Sequence, residues 1–172
     1  ARFLRNEGIT TPIVMLGGAL PVGISELVQE KVIPTIYNIE AANAVDVAAV
    51  SMGANAKIPV FIKVDCGMGR LGISLSGAVS FIEKVSKLKN LWIQGLYTHL
   101  SFKDENGMAF AEKRLILFYD LIGELKKRGH NIPITQALAS SALAVRWQDQ
   151  CSAICPGHLL YGLPSIVSHL GD

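Results

Sequence analysis

The chain has 172 residues, a length that suits one domain with a sizeable core. Its net charge is only +2, and no run of basic residues interleaves with aromatic ones, so neither a nucleic acid nor a membrane surface is expected as a partner. Charged residues interrupt each apolar run before the ~20 residues that a membrane span needs. The three cysteines lack the spacing of a zinc site or a disulfide framework, which favours reduced thiols, no metal and a cytoplasmic location.

The first eight residues resemble the second half of an amphipathic helix that ends at Gly8, with its beginning missing. The sequence does not open with a basic segment that leads into an apolar one, so we expect no signal peptide in it. Residues 169–172 close no recognisable element. We therefore expect residues 1–172 to form a single, partial domain cut from a longer protein.

Six short β-branched runs bounded by turn residues predict strands, at residues 12–16, 32–37, 59–64, 91–97, 134–138 and 152–155. Helical patterns fill the gaps: Asn38 is a candidate N-cap for a helix to about Ser51, and apolar stripes mark helices near residues 79–88 and 117–125. This alternation predicts a parallel sheet with right-handed crossovers. Because the glycine fingerprint of a dinucleotide fold is absent, a partial (β/α)₈ barrel of about six of eight units is favoured over an open doubly wound sheet.

An apolar strand runs directly into a loop with three glycines and one arginine, at residues 64–73. Gly67, Gly69 and Gly72 can adopt positive φ and let backbone amides approach a ligand. Arg70 offers a planar fork of donors to an oxyanion or phenolate. The alternative is a tight turn with a solvated arginine.

In a barrel, functional residues follow the strands on the C-terminal face, and polar residues occur at four such places here. These positions are Arg70, Thr98 with His99, Ser140 with Ser141, and the tripeptide Pro156-Gly157-His158. Serine hydroxyls and glycine amides after the last two strands are typical of a phosphate site in barrels.

Four segments carry a family resemblance: residues 63–72 (KVDCGMGRLG), 95–100 (GLYTHL), 139–142 (ASSA) and 156–163 (PGHLLYGL). They resemble the barrel motifs of the alanine racemase family, in the same order and with similar intervals. The resemblance extends from the helix ending at Gly8 to about Pro164. It implies a barrel built around pyridoxal 5'-phosphate, in a cytoplasmic homodimer that interconverts L- and D-alanine for peptidoglycan synthesis.

The resemblance also implies roles for individual residues. Arg70 matches the arginine that pairs with the cofactor's phenolic oxygen and lies near the substrate carboxylate. Lys63 matches a lysine that is often carbamylated and then positions this arginine, and His99 matches the histidine near the pyridine ring. The family's phosphate cradle corresponds to Ser141, Gly157 and the backbone of His158.

Three positions depart from the family pattern. Cys155 stands where the family has an arginine that donates to the pyridine nitrogen, and a thiol is a much weaker donor. Ser140 replaces an asparagine beside the phosphate serine, and Cys66 replaces a threonine. The exchange at Cys155 therefore predicts altered electronics of the bound ring.

The resemblance also implies that two catalytic groups lie outside this sequence, so that no catalytic residue is present in it. The lysine that forms the Schiff base belongs to a strand upstream of Ala1, and the tyrosine base to a C-terminal β domain of the partner subunit. Racemisation needs one base on each face of the α-carbon. The isolated chain is thus predicted to be inactive. Two alternatives stay open: a racemase of serine or of broad specificity, and a barrel that binds pyridoxal phosphate without catalysis.

Overall fold

The computed structural model describes residues 1–53, 56–102, 105–144 and 150–163. The helices in this part are α1 (Arg2–Asn6), α2 (Ile24–Gln29), α3 (Ile39–Ser51), α4 (Leu75–Ser86), α5 (Glu105–Lys127), α6 (Ser140–Ala144) and α7 (Gly157–Leu160), with a 3-10 turn at Pro21–Gly23. The strands are β1 (Ile13–Met15), β2 (Val32–Ile36), β3 (Ile58–Asp65), β4 (Ile73–Ser74), β5 (Leu91–Tyr97), β6 (Ile134–Ala139) and β7 (Ala153–Cys155). None of the helices described is both long and apolar enough to cross a membrane.

The strands form a parallel sheet in the order β1-β2-β3-β5-β6-β7, and the two-residue β4 pairs in parallel with the end of β3. Each successive long strand is added at the same edge. A doubly wound sheet would reverse its order at a switch point, whereas a barrel does not. The predicted partial α/β barrel is therefore confirmed, and all six predicted strands are present with bounds shifted by at most two residues at either end.

Local signals explain where the predicted elements begin. The side chain of Asn38 accepts a hydrogen bond of 2.8 Å from the amide of Ala41, which confirms it as the N-cap of α3. Ser74 caps α4 in the same way through the amide of Gly77. Sequence patterns did not predict the short elements α2, β4, α6 and α7, since two to six residues carry too little periodicity.

The sheet has two differently covered faces. Alternate residues of β3, including Val60, Ile62 and Val64, are buried in the main core against the helices. Phe61 points to the other, concave face, where it packs in a small separate cluster with Ile33 and Tyr97. We call this cluster, with the partly buried Val14 and Ile134, the concave floor. It fills the interior of the partial barrel on its concave side.

Candidate active site at the strand ends

The loop after β3 is a tight turn built around Asp65. Its Oδ1 accepts hydrogen bonds of 2.8 Å from the amides of both Gly67 and Met68. Gly67 and Gly69 have φ values of 129° and 65°, which confirms that the loop uses the left-handed freedom of glycine. Arg70 is consequently presented as an exposed cation just beyond the C-terminal end of β3.

At Gly72 the backbone packs closely against the backbone of β3. The φ of this glycine is 131°, and a Cβ at this position would lie 2.6 Å from the amide nitrogen of Asp65 and 3.1 Å from the carbonyl oxygen of Lys63. These neighbours are backbone atoms that cannot rotate away. Only glycine therefore permits the pairing of β4 with the end of β3 that closes the Arg70 loop.

Helix α5 supports this loop from the helix side of the sheet. A Cβ at Gly67 would lie 2.8 Å from the ring of Phe110 and 3.2 Å from Nε of Arg114. The guanidinium carbon of Arg114 lies 5.1 Å from the centroid of the Phe110 ring. Sequence reasoning missed both residues, because each is about forty positions from the loop and reads as an ordinary member of a long helix.

Lys63 lies on β3 at the register position that alternates onto the concave face, above Phe61. Its Nζ is 5.1 Å from the centroid of the Tyr97 ring. Partial burial lowers the pKa of Lys63 below its ordinary value, and the nearby Arg70 lowers it further, against weaker opposing effects of Asp65 and Cys155. The structure therefore brings together Lys63, Arg70 and Cys155, which sequence reasoning assigned to one site.

His99 follows β5 and is half-buried near the same cations. Burial is the main cause that lowers the pKa of His99 below its ordinary value, and Arg70 and Lys63 lower it further. Both causes favour the uncharged form of the imidazole. A neutral ring carries one donor and one acceptor nitrogen, which suits hydrogen bonding to a bound molecule.

We expect the pKa shift of His99 to make the protein less stable as the pH falls below 6.5, the ordinary value of the imidazole. The unfolded chain takes up a proton at that pH, whereas the folded chain takes it up only at a lower pH, so acidification favours unfolding. His99→Gln should reduce this loss of folding stability at low pH. Urea unfolding of both proteins, followed from pH 7.5 to roughly pH 5, measures the difference. Parallel pH profiles would show that His99 does not cause the effect.

The serines after β6 are engaged in local hydrogen bonds. They lie in the first turn of α6 rather than at the strand end, because β6 finishes at Ala139. Ser140 Oγ accepts from the amide of His158 at 3.0 Å, and Ser141 Oγ accepts from the amide of Phe102 at 3.2 Å. The His158 amide, expected in a phosphate cradle, is thus donated to Ser140. The hydroxyl proton of Ser141 is still a potential donor.

Gly157 and Cys155 border the same end of the sheet. Among the residues that the structure describes, no atom lies within 4 Å of the position that a Cβ of Gly157 would occupy, and Gly157 is itself exposed. Cys155 is the last residue of β7, is half-buried and pairs in register with Ala139. Cys155 is close enough to Lys63 to influence its pKa, and its role at the pyridine nitrogen stays a prediction.

Positive charge at this site is not balanced by ion pairs. Within the described ranges, the four salt bridges involve Arg2 and Arg128, both far along the chain from the strand ends, and none involves Arg70 or Lys63. Asp65, the nearest carboxylate in sequence, is occupied by two backbone amides. The arrangement favours an anionic ligand. In the part of the chain that is described, no cluster of potential metal ligands is found.

Residues 1–165 match the family model described as alanine racemase, N-terminal domain. The chain belongs to this family. All four motif segments and every predicted site residue lie inside the matched range. The expected family is thereby confirmed, whereas the roles of the individual residues stay predictions.

Relatives in the alanine racemase family extend well beyond this chain. An alanine racemase of Methanococcus maripaludis is 33% identical over 168 residues, which are 96% of this chain and 44% of that protein. The structure of alanine racemase from Clostridium difficile 630 superposes with a TM-score of 0.84 at 27% identity, covering 93% of this chain and 41% of the other. Its complex with cycloserine gives a TM-score of 0.85. The chain spans less than half the length of these relatives.

Proposed function

We propose that this chain is the cofactor-binding barrel of an alanine racemase, which interconverts L- and D-alanine with pyridoxal 5'-phosphate. The convergence of Lys63, Arg70, His99 and Cys155 at the strand ends, inside the range matched to the family, carries this proposal. A barrel places its chemistry at this face. A merely structural domain has no need for two unpaired cations beside a half-buried neutral histidine.

The proposed hydrogen-bond donors suit three parts of the cofactor: its phenolic oxygen, its phosphate and its pyridine nitrogen. Arg70 is proposed to donate to the phenolic oxygen, for which its charge and fork geometry are appropriate. The Ser141 hydroxyl and the open Gly157 backbone are proposed to donate to the phosphate, while the His158 amide acts indirectly by fixing Ser140. Cys155 is proposed to lie at the pyridine nitrogen. When bound, the cofactor supplies an electron-withdrawing ring that acidifies the α-proton of the amino acid.

Lys63 and Arg70 are proposed to act as a pair. The lowered pKa of Lys63 increases the fraction of neutral amine, which is the form that adds carbon dioxide. The resulting carbamate would be an anion beside Arg70, able to hold the guanidinium in a charge-assisted hydrogen bond. Arg70 would then also attract the substrate carboxylate. His99, in its uncharged form, would pack against the ring without adding a third positive charge.

The remaining parts of the enzyme are proposed from the family. Because the relatives are more than twice as long as this chain, we infer that the imine-forming lysine and the tyrosine base belong to other parts of the same protein. We also infer a cytoplasmic homodimer serving peptidoglycan synthesis. The cycloserine bound in the C. difficile structure supports a small amino acid of the alanine type as substrate.

One specific observation favours a second candidate function, a barrel that binds the cofactor without catalysis. Cys155 is the last residue of β7, and the resemblance implies an arginine at this position. A thiol would restrain the charge of the pyridine nitrogen only weakly. A racemase of serine or of broad specificity is the alternative within enzymes. All three functions share the same binding site and differ in turnover.

Turnover in the complete protein that contains this chain distinguishes these functions. The purified protein would be loaded with pyridoxal phosphate, and bound cofactor measured by its absorbance. L-Alanine and L-serine would then be supplied in D₂O, with deuterium exchange at the α-carbon and the D-enantiomer followed in parallel. We expect D-alanine to form faster than D-serine. Bound cofactor with no exchange of either substrate would support the binding barrel, and equal rates would support broad specificity.

A further inference from the structure

Tyr97, the last residue of β5, is fixed by two hydrogen bonds of its hydroxyl group. Its hydroxyl donates to the carbonyl oxygen of Leu16 at 2.8 Å and forms a second hydrogen bond of 3.2 Å with Oγ1 of Thr35. Tyr97 is only 3% exposed and Thr35 is fully buried. These contacts connect β5 to the end of β1 and to β2, so the phenol has a single well-defined position.

The ring of Tyr97 is part of the concave floor and lies between Phe61 and the ammonium of Lys63. On one side it packs against Phe61, with ring centroids 6.4 Å apart and planes inclined by 58°. Lys63 Nζ lies over the ring, 5.1 Å from its centroid. An ammonium over an aromatic face is attracted by the negative face of the ring, and more strongly where water is partly excluded.

Other groups around Lys63 do not fix its position. No carboxylate forms an ion pair with Lys63 in the described part of the chain, and Asp65 attracts the ammonium from beyond ion-pair distance. Arg70 repels the ammonium, and the Cys155 thiol is only a weak acceptor. The face of the Tyr97 ring therefore gives this amine a defined attractive contact, in addition to the weaker attraction of Asp65.

We propose that Tyr97 is a positioning residue: its hydroxyl, held by Leu16 and Thr35, fixes the ring, and the ring holds the Lys63 amine beside Arg70. The consequence for the reaction rests on the proposed function, because it assumes that Arg70 binds an anion there. The positioning itself concerns the free Lys63 amine, the form that precedes any carbamylation, and is tested in buffers depleted of carbon dioxide; it does not depend on that function. Tyr97 thus acts through Lys63 and not on a substrate.

The test measures the titration of the Lys63 amine in the complete protein. Trace acetylation with acetic anhydride over a range of pH, quantified by mass spectrometry, gives a midpoint for Lys63 relative to the exposed Lys87. The midpoint reports the pKa of the amine, and the high-pH plateau separately reports its accessibility. Tyr97→Leu removes the ring, Tyr97→Phe keeps it, and Phe118→Leu removes a buried ring from the opposite face of the sheet as the matched control.

We expect Tyr97→Leu to lower the midpoint of Lys63, so that its acetylation below the midpoint becomes about fivefold faster relative to Lys87. Tyr97→Phe should stay within about twofold of the unsubstituted protein, and Phe118→Leu should leave the midpoint in place. An unchanged midpoint in Tyr97→Leu would overturn the proposal. So would an equal shift in Tyr97→Leu and Phe118→Leu.

A measurement on the unsubstituted protein covers the case in which Tyr97→Leu does not fold. After reductive methylation with ¹³C-formaldehyde, the Lys63 methyl signal is expected upfield of the Lys87 signal, because the ring shields a group above its face. Coincident signals would contradict the proposal. Neither readout involves cofactor or turnover, so an inactive protein with a shielded Lys63 would reject the racemase while leaving the positioning role supported.

Discussion

Replacing Arg70 by alanine is expected to lower kcat/KM for alanine by about 100-fold or more in the complete protein. The guanidinium is the exposed cation at the end of β3, without an ion pair in the described part of the chain, and it is proposed to contact both the cofactor and the substrate carboxylate. Removing one preorganised donor from an anion-stabilising site typically has an effect of this size. Racemisation followed by chiral chromatography, at saturating cofactor, measures the loss.

Two further variants show whether the loss at Arg70 is specific. Arg70→Lys keeps the charge but not the planar fork, so its activity should lie between those of Arg70→Ala and the unsubstituted protein. Arg128→Ala removes a surface arginine that pairs with Glu83 and Glu124, and it should leave kcat/KM unchanged. If Arg70→Ala lost no more activity than Arg128→Ala, the assigned role would be wrong.

Gly72→Ala is expected to reduce the free energy of unfolding by about 3 kcal/mol or more. The new Cβ would lie 2.6 Å from the Asp65 amide nitrogen, in a residue whose φ of 131° is already unfavourable for alanine. Because the obstructing atoms are backbone, β4 must separate from β3 or the strand must shift. Urea unfolding measures this change, and cofactor affinity should fall with it as the Arg70 loop loses its closure.

Gly69→Ala is the matched control for Gly72→Ala. Gly69 also has a positive φ, 65°, but no atom of the described residues lies within 4 Å of its Cβ position. Its substitution should therefore cost only the backbone strain, about 1 kcal/mol. Equal losses at the two glycines would mean that the close approach to β3 does not determine the stability of the loop.

Much of the fold could be predicted from local sequence patterns. The six strands predicted from the sequence are mostly apolar and bounded by turn residues, and Asn38 is a strong capping residue directly before an apolar pattern. The parallel arrangement followed from the alternation of elements, since parallel neighbours need a crossover. Glycine spacing likewise predicted the positive φ values in the Arg70 loop.

The contacts between distant parts of the chain could not be predicted in this way. No local signal shows that Phe110 and Arg114 face Gly67, or that the hydroxyl of Tyr97 reaches Leu16. The hydrogen bond from the His158 amide to Ser140 could not be predicted either, since it depends on how α6 and α7 approach each other. Residue types predicted which residues belong to the candidate site. The side chains and backbone groups that orient those residues are seen only in the folded structure.

The separation of the concave floor from the main core has a consequence for sequence drift in this family. The helix-side core comprises most of the buried apolar residues, whereas the concave floor has only five members. Side chains at the strand ends that belong to neither cluster, such as the half-buried Cys155, can therefore be exchanged with little loss of folding free energy. The cysteine at position 155, where the resemblance implies an arginine, is the kind of exchange that such a layout would permit.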